Sequence, residues 1–295
     1  MTALEAGADA AVRAPAVAGT FYPADPARLD KMIAALLAGA PASPGPATGA
    51  PLGILVPHAG LAYSGLVAAA GWRLVPDGTT VVILGTNHTA AWLDDVGAWE
   101  TGGWRTPLGE VAIDTALAAE ICALGPPFGT DRGAHRGEHS IEVQLPLVQT
   151  IAPHARIVPL SVATGIGENA IDAGVRLGEV LAERRRAGQR VVIAISSDMA
   201  HYPRRQTCDL VTEALLPAIL ALDPVALAAD EQALVAGVAP GLVCGMCGIE
   251  PAVLGLAALR ALGAKRGIRL AAATSADAGG PPDRTVGYLS VAFTT

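Results

Sequence analysis

The sequence predicts an α/β fold: one domain with a central, mostly parallel sheet flanked by helices. Three observations point there. Short runs rich in Val and Ile, such as "GILVP" (53–57), "TVVILG" (80–85) and "RVVIAISS" (190–197), are apolar at every position, as strands are when helices cover both faces of a sheet. Segments of helical character alternate with these runs along most of the chain. Composition agrees, with 52% hydrophobic, 16% charged and 4% aromatic residues, an apolar content made mostly of Ala, Val and Leu.

Taken in order, residues 1–12 carry Glu5 and Asp9 and no sustained apolar core, so they read as a loose tail and not as a secretory signal. The domain is expected over 13–295. "VAGTFYPADPARLDKMIAALL" passes from an extended segment into a helix, with Asp25 as N-cap, Pro26 at the first helical position and an end at Gly39. A Pro/Gly/Ala/Ser connector (39–51) leads to the strand at 53–57. Then follow a helix at 64–74, a strand at 80–85, a Trp/Gly-rich excursion at 92–109, and helices at 114–124 and 140–151. Next come a strand at 156–162, a helix at 168–187 and the strand at 190–197. Helices at 208–220, 223–235 and 250–263 and strands at 268–275 and 286–294 complete the chain.

Charge and cysteine content narrow the function classes. A formal charge of −7 lacks the clustered Lys/Arg that nucleic acid or an anionic membrane requires. The basic run "ERRRAGQR" (183–190) reads as a solvated helix end with Gly188 as its cap. Cys122, Cys208, Cys244 and Cys247 are too few and too unevenly spaced for a disulfide framework, so a reducing cytoplasm is expected. The most hydrophobic region, 233–262, is interrupted by Pro240, Gly241, Gly245, Gly248, Glu250 and Pro251, which excludes the run of about 20 apolar residues that spans a bilayer.

Three expected strands run into polar sequence at their carboxyl ends. "ILVPHAG" gives His58, "VVILGTNHT" gives Asn87 and His88, and "VVIAISSDMAHY" gives Ser196, Ser197, Asp198 and His201. In open α/β sheets ligands bind outside the carboxyl ends of the strands, so these side chains are expected to share one crevice. A lone histidine beside a strand is more often structural; three at one sheet edge favour a site, and imidazole suits iron, copper and zinc. "CGMCGIEP" (244–251) offers two thiols and a carboxylate at a helix start, although a single CxxC is a weak signal. "RGEHSIEVQLPLV" (136–148) adds Glu138 and His139, with Glu142 and Gln144 following; capping, or orienting another residue, competes here with direct ligation. His135 and His154 stand in polar loop sequence and read as surface residues.

Taken together, these motifs resemble the MEMO family, including its prokaryotic branch, AmmeMemoRadiSam system protein B. "RAPAVAGTFYP", "VPHAG..YSG", "ILGTNH", "EHSIEVQLPLV", "SSDMAHY" and "CGIEP" occur in the family's order across most of the chain. The resemblance implies a fold like that of class III extradiol dioxygenases. It also implies a metal site of His58, His88 and Cys247, the last chosen because it alone has glycine next and proline four residues on; Cys244 lacks that proline. Asp198 and His201 correspond to the family's pocket Asp and His and take the catalytic roles. Tyr63 is expected near the mouth, and Asn87, Glu138 and His139 near the substrate. The dioxygenases are expected to use two histidines and a carboxylate on Fe(II), whereas here a cysteine stands in the carboxylate's place. A thiolate is softer, which favours copper or a differently tuned iron(II) over zinc, and brings oxidation chemistry of its own. Glu250 would restore a carboxylate, but the helix direction is expected to turn it elsewhere.

Three functions compete at this level: metal-dependent redox or oxygenase-like chemistry on an unknown substrate, a catalytically silent module that binds a peptide or small ligand in the same crevice, and zinc-dependent hydrolysis. Fold alone does not choose among them. The prokaryotic family name implies a functional link to a radical SAM protein and an AMMECR1-type protein. Trp92, Trp99 and Trp104 of the excursion are expected in a pocket wall or an interface.

Overall fold

The computed structural model describes residues 12–42, 50–167, 169–237 and 241–295. Apart from Val12, the expected tail lies outside the described residues, as does most of the 39–51 connector.

The first helix forms as its caps dictate. Asp25 accepts a 2.8 Å hydrogen bond from the Arg28 N–H, Pro26 follows, and α1 (Pro26–Gly39) buries Leu29 and Ile33. The apolar runs become β2 (Gly53–Val56), β3 (Thr80–Thr86), β8 (Arg156–Val162) and β9 (Val191–Ser196), buried along nearly their whole length. Burying one such Val, Leu or Ile contributes about 1.5–3 kcal/mol. Helix α2 (Leu61–Trp72) starts three residues earlier than expected. Gly60 gives it no side-chain cap, but nine of its residues are buried, so packing replaces capping as the reason it forms.

The excursion is more ordered than its sequence suggests. It contains β4 (Val96–Ala98) and β5 (Gly103–Thr106) and leads into β6 (Gly109–Ala112), and β1 (Val12–Arg13) joins β5 and β6 in a small separate sheet. Further on lie α3 (Thr115–Cys122), β7 (Phe128–Thr130), α4 (Gly133–Arg136) and α5 (Leu145–Ile151), the last preceded by a 3₁₀ turn at Glu142–Gln144. The remaining elements are α6 (Asn169–Arg186), α7 (Arg205–Leu220), α8 (Pro224–Ala236), α9 (Ile249–Leu262), β10 (Arg266–Thr274) and β11 (Gly287–Thr294).

The main sheet has eight strands in the order β10-β11-β2-β9-β3-β8-β4-β7, with β2, β9, β3 and β8 mutually parallel at its centre and antiparallel pairing on either side. The α/β class with a mostly parallel centre is therefore as the sequence predicts. Among the described residues, no helix is long and apolar enough to cross a membrane.

Register is what positions the site. Val56 pairs with Ser196, and Ser196 with Gly85, so β2, β9 and β3 end level with one another. Neighbouring strands lie about 4.8 Å apart. His58, Asp198 and His88, each two or three residues past these paired positions, therefore emerge side by side.

Candidate metal centre

His58 follows Pro57 at the end of β2 and is buried. Its backbone N–H and that of Ala59 donate to Asp198 Oδ1 at 2.8 and 3.2 Å, which ties the ends of β2 and β9 together. The ring's Nδ1 lies 3.1 Å from Ser196 Oγ, and Nε2 lies 3.3 Å from Cys247 Sγ. His88, past β3, is held by Glu138: its N–H donates to Oε2 at 2.6 Å, and its Nδ1 is 3.0 Å from Oε1. Cys247 enters from the turn before α9, where its N–H donates to the Asp198 carbonyl at 3.2 Å. The following Gly248 presses against the strand ends and donates to Ser197 Oγ at 2.9 Å; a Cβ there would come within 2.6 Å of Ser197 Cβ and 2.8 Å of Thr86 Oγ1. A glycine after the cysteine is thus a packing requirement.

A ligand atom from each of His58, His88 and Cys247 lies within 4.8 Å of the others. The only other such group among the described residues, His88 with Glu138 and His139, adjoins it. Two imidazoles and a sulfur converging this closely fit a borderline transition metal.

Glu138 turns both oxygens into the protein. It receives the backbone N–H groups of His88, His139 and Ser140 as well as the His88 ring, and His139 Nδ1 lies 3.2 Å away. Although the sequence places Glu138 near the substrate, it is buried and its acceptors are filled, so its part is to orient His88 and His139. His139 does face the cleft, stacked on His88 at 4.7 Å between ring centroids and packed against Phe21 at 4.6 Å. Asn87 likewise folds into its own turn: its amide bonds the Ala90 carbonyl, and its Oδ1 accepts from the Thr89 and Ala90 N–H groups. This is the local turn chemistry expected of asparagine, and Asn87 is not among the residues that line the cleft.

The cleft over these residues holds about 520 Å³, with His58, His88, His139, Asp198 and His201 on its lining and Phe21, Tyr63, Tyr202 and Tyr288 as aromatic walls. Tyr63 stands at the mouth, 49% exposed. His201 Nε2 lies 4.0 Å from Asp198 Oδ2 and is buried without a hydrogen-bond partner. Concavities of similar volume at the amino ends of the strands, lined by Arg185 and Arg190 or by Asp114 and His154, gather no comparable donor set among the described residues.

Burial governs the electrostatics. It holds His58 well below its ordinary pKa, with the charges of His139 and His88 adding to the effect, and brings His201 down to about 4. Burial raises Asp198 to about 7 against the two backbone N–H bonds that favour its charged form, and pushes the Cys247 thiol well up, with Asp198 adding to the rise. For Glu138 burial acts upward too, but the His88 hydrogen bond and the His88 and His139 charges outweigh it and keep the carboxyl well below the usual range. The neutral His58 imidazole is a ready ligand, and a bound metal ion would displace the thiol's proton.

Other sequence expectations are redirected. Glu250 receives backbone hydrogen bonds at Gly165 and Gly167, away from the metal group. Cys244 contributes its carbonyl to the His201 N–H at 3.1 Å, and its thiol is not among the clustered donors. His154 is exposed as expected, but His135 is fully buried, its Nε2 2.9 Å from the Gly97 carbonyl and its ring packed on Trp104 and Trp99. Trp99 and Trp104 are thus core residues and not a pocket wall, while Trp92 is exposed and donates to Asp131. Reading the sequence missed Tyr288, which looks like any inward residue of β11, and Tyr202, whose one distinguishing sign is its place beside His201.

The Memo-like protein family matches residues 13–292. A MEMO1 family protein of Aquifex aeolicus is 37% identical over 283 residues, covering 96% of this chain and 99% of its own. One from Methanopyrus kandleri is 36% identical over 292 residues, covering 95% and 98%. The crystal structure of an uncharacterized protein from Escherichia coli K12 aligns over 81% of this chain and 98% of its own with a TM-score of 0.47 and 14% identity. With the family's match running from the first strand almost to the last and relatives aligned nearly end to end, this chain belongs to the MEMO family.

Proposed function

We propose that the cleft is a metal-dependent redox site in which His58, His88 and Cys247 hold iron(II) or copper, with oxygenase-like or thiol–metal oxidation chemistry on a small-molecule or peptide ligand. The carrying observation is the convergence of one ligand atom from each of these residues within 4.8 Å. When bound, the metal would supply a redox couple and a Lewis acid. The chain's own groups do the rest. Phe21, Tyr63, Tyr202 and Tyr288 bind an apolar body and exclude water from the floor of the cleft. Asp198 holds the His58 backbone through Oδ1 and presents Oδ2 toward His201 Nε2. With Asp198 raised to about 7 and His201 lowered to about 4, Asp198 can hold a proton near neutral pH while the His201 imidazole stays neutral, so the carboxyl is the acid of the pair and His201 a neutral hydrogen-bonding group toward a ligand. A cytoplasmic setting and a working link to a radical SAM protein and an AMMECR1-type protein belong to the same reading.

Metal analysis of the anaerobically purified protein tests it. Iron or copper should be retained by the wild type and lost from Cys247→Ala. Fully occupied, redox-silent zinc would transfer the site to metal-assisted hydrolysis. No metal at stoichiometric supply, with a peptide bound in the cleft, would make it a silent binding module.

A further inference from the structure

Behind His58, on the side away from the cleft, a chain of buried polar groups has a hydrogen-bond direction that can be read without ambiguity. It starts at Trp72, whose indole Nε1 can only donate; its partner, at 2.7 Å, is Gln144 Oε1. That fixes the orientation of the Gln144 amide. The Nε2 group then points at the Pro57 carbonyl and at Ser196 Oγ, both at 2.9 Å. The carbonyl accepts only, which agrees with the same orientation. Ser196 Oγ has three polar neighbours: Gln144 Nε2, the Ser140 carbonyl at 2.6 Å and His58 Nδ1 at 3.1 Å. A hydroxyl has a single proton. Gln144 already donates to the oxygen, and the Ser140 carbonyl can only receive, so the hydroxyl proton goes to Ser140. What remains for His58 Nδ1 is to donate to Ser196.

We infer that Gln144 and Ser196 are positioning residues that lock neutral His58 with its proton on Nδ1, leaving the Nε2 lone pair aimed at the point it shares with Cys247 Sγ and His88. The inference rests on the metal reading for its purpose, but the tautomer is a property of the protein alone. His88 reaches the same state by another route, since a carboxylate holds its Nδ1 where a neutral hydroxyl holds that of His58. The two imidazoles therefore have unlike partners behind them, an anionic carboxylate for His88 and a neutral hydroxyl for His58. Trp72, Gln144 and Ser196 are all buried, so water does not offer His58 an alternative partner on that side. The 3.3 Å contact between Cys247 Sγ and His58 Nε2 suits the same tautomer, a thiol there being able to donate to the bare nitrogen.

Long-range proton–nitrogen NMR on metal-free protein labelled with ¹⁵N-histidine reads the tautomer directly, His58 being assigned by its absence in His58→Asn. The wild type should show His58 protonated on Nδ1. Ser196→Ala should lose or mix that state and weaken zinc binding, measured by chelator competition, by about 10–100-fold; Gln144→Met should act in the same direction but less. A wild-type His58 protonated on Nε2, or a folded Ser196→Ala with tautomer and zinc affinity both unchanged, overturns the relay. If Ser196→Ala does not fold, the wild-type spectrum alone decides. A wild type with Nδ1 protonated that takes up neither zinc, iron nor copper supports the relay and removes the metal reading instead.

Discussion

A cluster of three histidine rings at the cleft and one lone buried histidine lie on or beside the single segment 133–144, and they differ in where their ring nitrogens go. His88 and His139, joined by His58 from β2, have Nδ1 held from behind and their rings on the wall of a cleft. His135 packs between Trp104 and Trp99, centroids 5.3 and 6.4 Å away, fully buried with Nε2 on the Gly97 carbonyl and Nδ1 unpartnered. Burial is the largest cause lowering the pKa of His58, His139 and His135 alike. A depressed imidazole is therefore no mark of a ligand. What separates the two is whether a ring nitrogen lies within reach of other residues' ligand atoms, as in His58 and His88 and not in His135.

One buried ion pair braces both groups, so breaking it should have the largest effect. Arg13 binds Glu142 at 2.6 Å and donates to the carbonyls of His135 and Glu138, while Glu142 also receives the Ala16 and Val17 N–H groups and the Tyr22 hydroxyl. Glu142→Gln leaves Arg13 buried without its counter-charge and turns an amide N–H toward donors. The expected loss is about 3–5 kcal/mol by denaturant titration. A loss under about 1 kcal/mol would show that the Arg13–Glu142 pair does not brace the histidines.

His135→Phe should separate the groups by pH. Its pKa is lowered to about 4 by burial, against 6.5 unfolded, so its contribution to stability is fully present above pH 6.5 and is lost as pH falls toward 4, by about 3 kcal/mol at one pKa unit per 1.4 kcal/mol. Phenylalanine lacks that dependence but also lacks the bond to Gly97, worth about 1 kcal/mol. Melting curves should put the variant below the wild type at pH 7 and bring the two together or reverse them near pH 4.5, with zinc affinity unchanged at pH 7. A shifted zinc affinity would merge the two groups into one functional unit.

Glu138→Gln probes the ligand group itself. The amide puts N–H groups where only donors arrive, and His88 loses its anionic partner. Zinc affinity should fall by about 10–100-fold, or about 1.4–2.7 kcal/mol. An unchanged affinity would reduce Glu138 to a turn cap.

The contrast between the histidine groups also explains which features could be read from the sequence. β2, β3, β8 and β9 announce themselves because a strand covered on both faces must be apolar throughout, and their carboxyl-end polar residues inherit the strands' alignment. His58, His88, Asp198 and His201 were legible for that reason. His135 was not, because its polar neighbours Asp131, Arg132 and Arg136 suggest a loop surface, while its burial comes from Trp99 and Trp104, more than 30 residues away. Glu138 was legible as a site residue but not in its direction, which depends on the long-range contact with His88. β4 to β7 escaped notice because strands of three or four residues containing Gly and Trp are too short to display a period.

The smallest effect is expected at Cys244, and it tests the cysteine pair that the sequence leaves closest to ambiguous. Both thiols precede a glycine, yet only Cys247 Sγ reaches His58. Cys244 acts through its backbone, its carbonyl receiving the His201 N–H and so holding the segment that carries His201, a role that survives any side chain. Its thiol is pushed up to about 11, by burial first and then by Glu231, and so stays protonated at neutral pH. Cys244→Ala should therefore keep zinc stoichiometry, with affinity within about twofold of the wild type, and lose no more than about 1 kcal/mol of stability for a small, partly buried side chain. Cys247→Ala in the same titration should fail to bind. The reverse pattern, zinc lost from Cys244→Ala and kept by Cys247→Ala, would exchange the two cysteines and take the sulfur out of the group formed with His58 and His88.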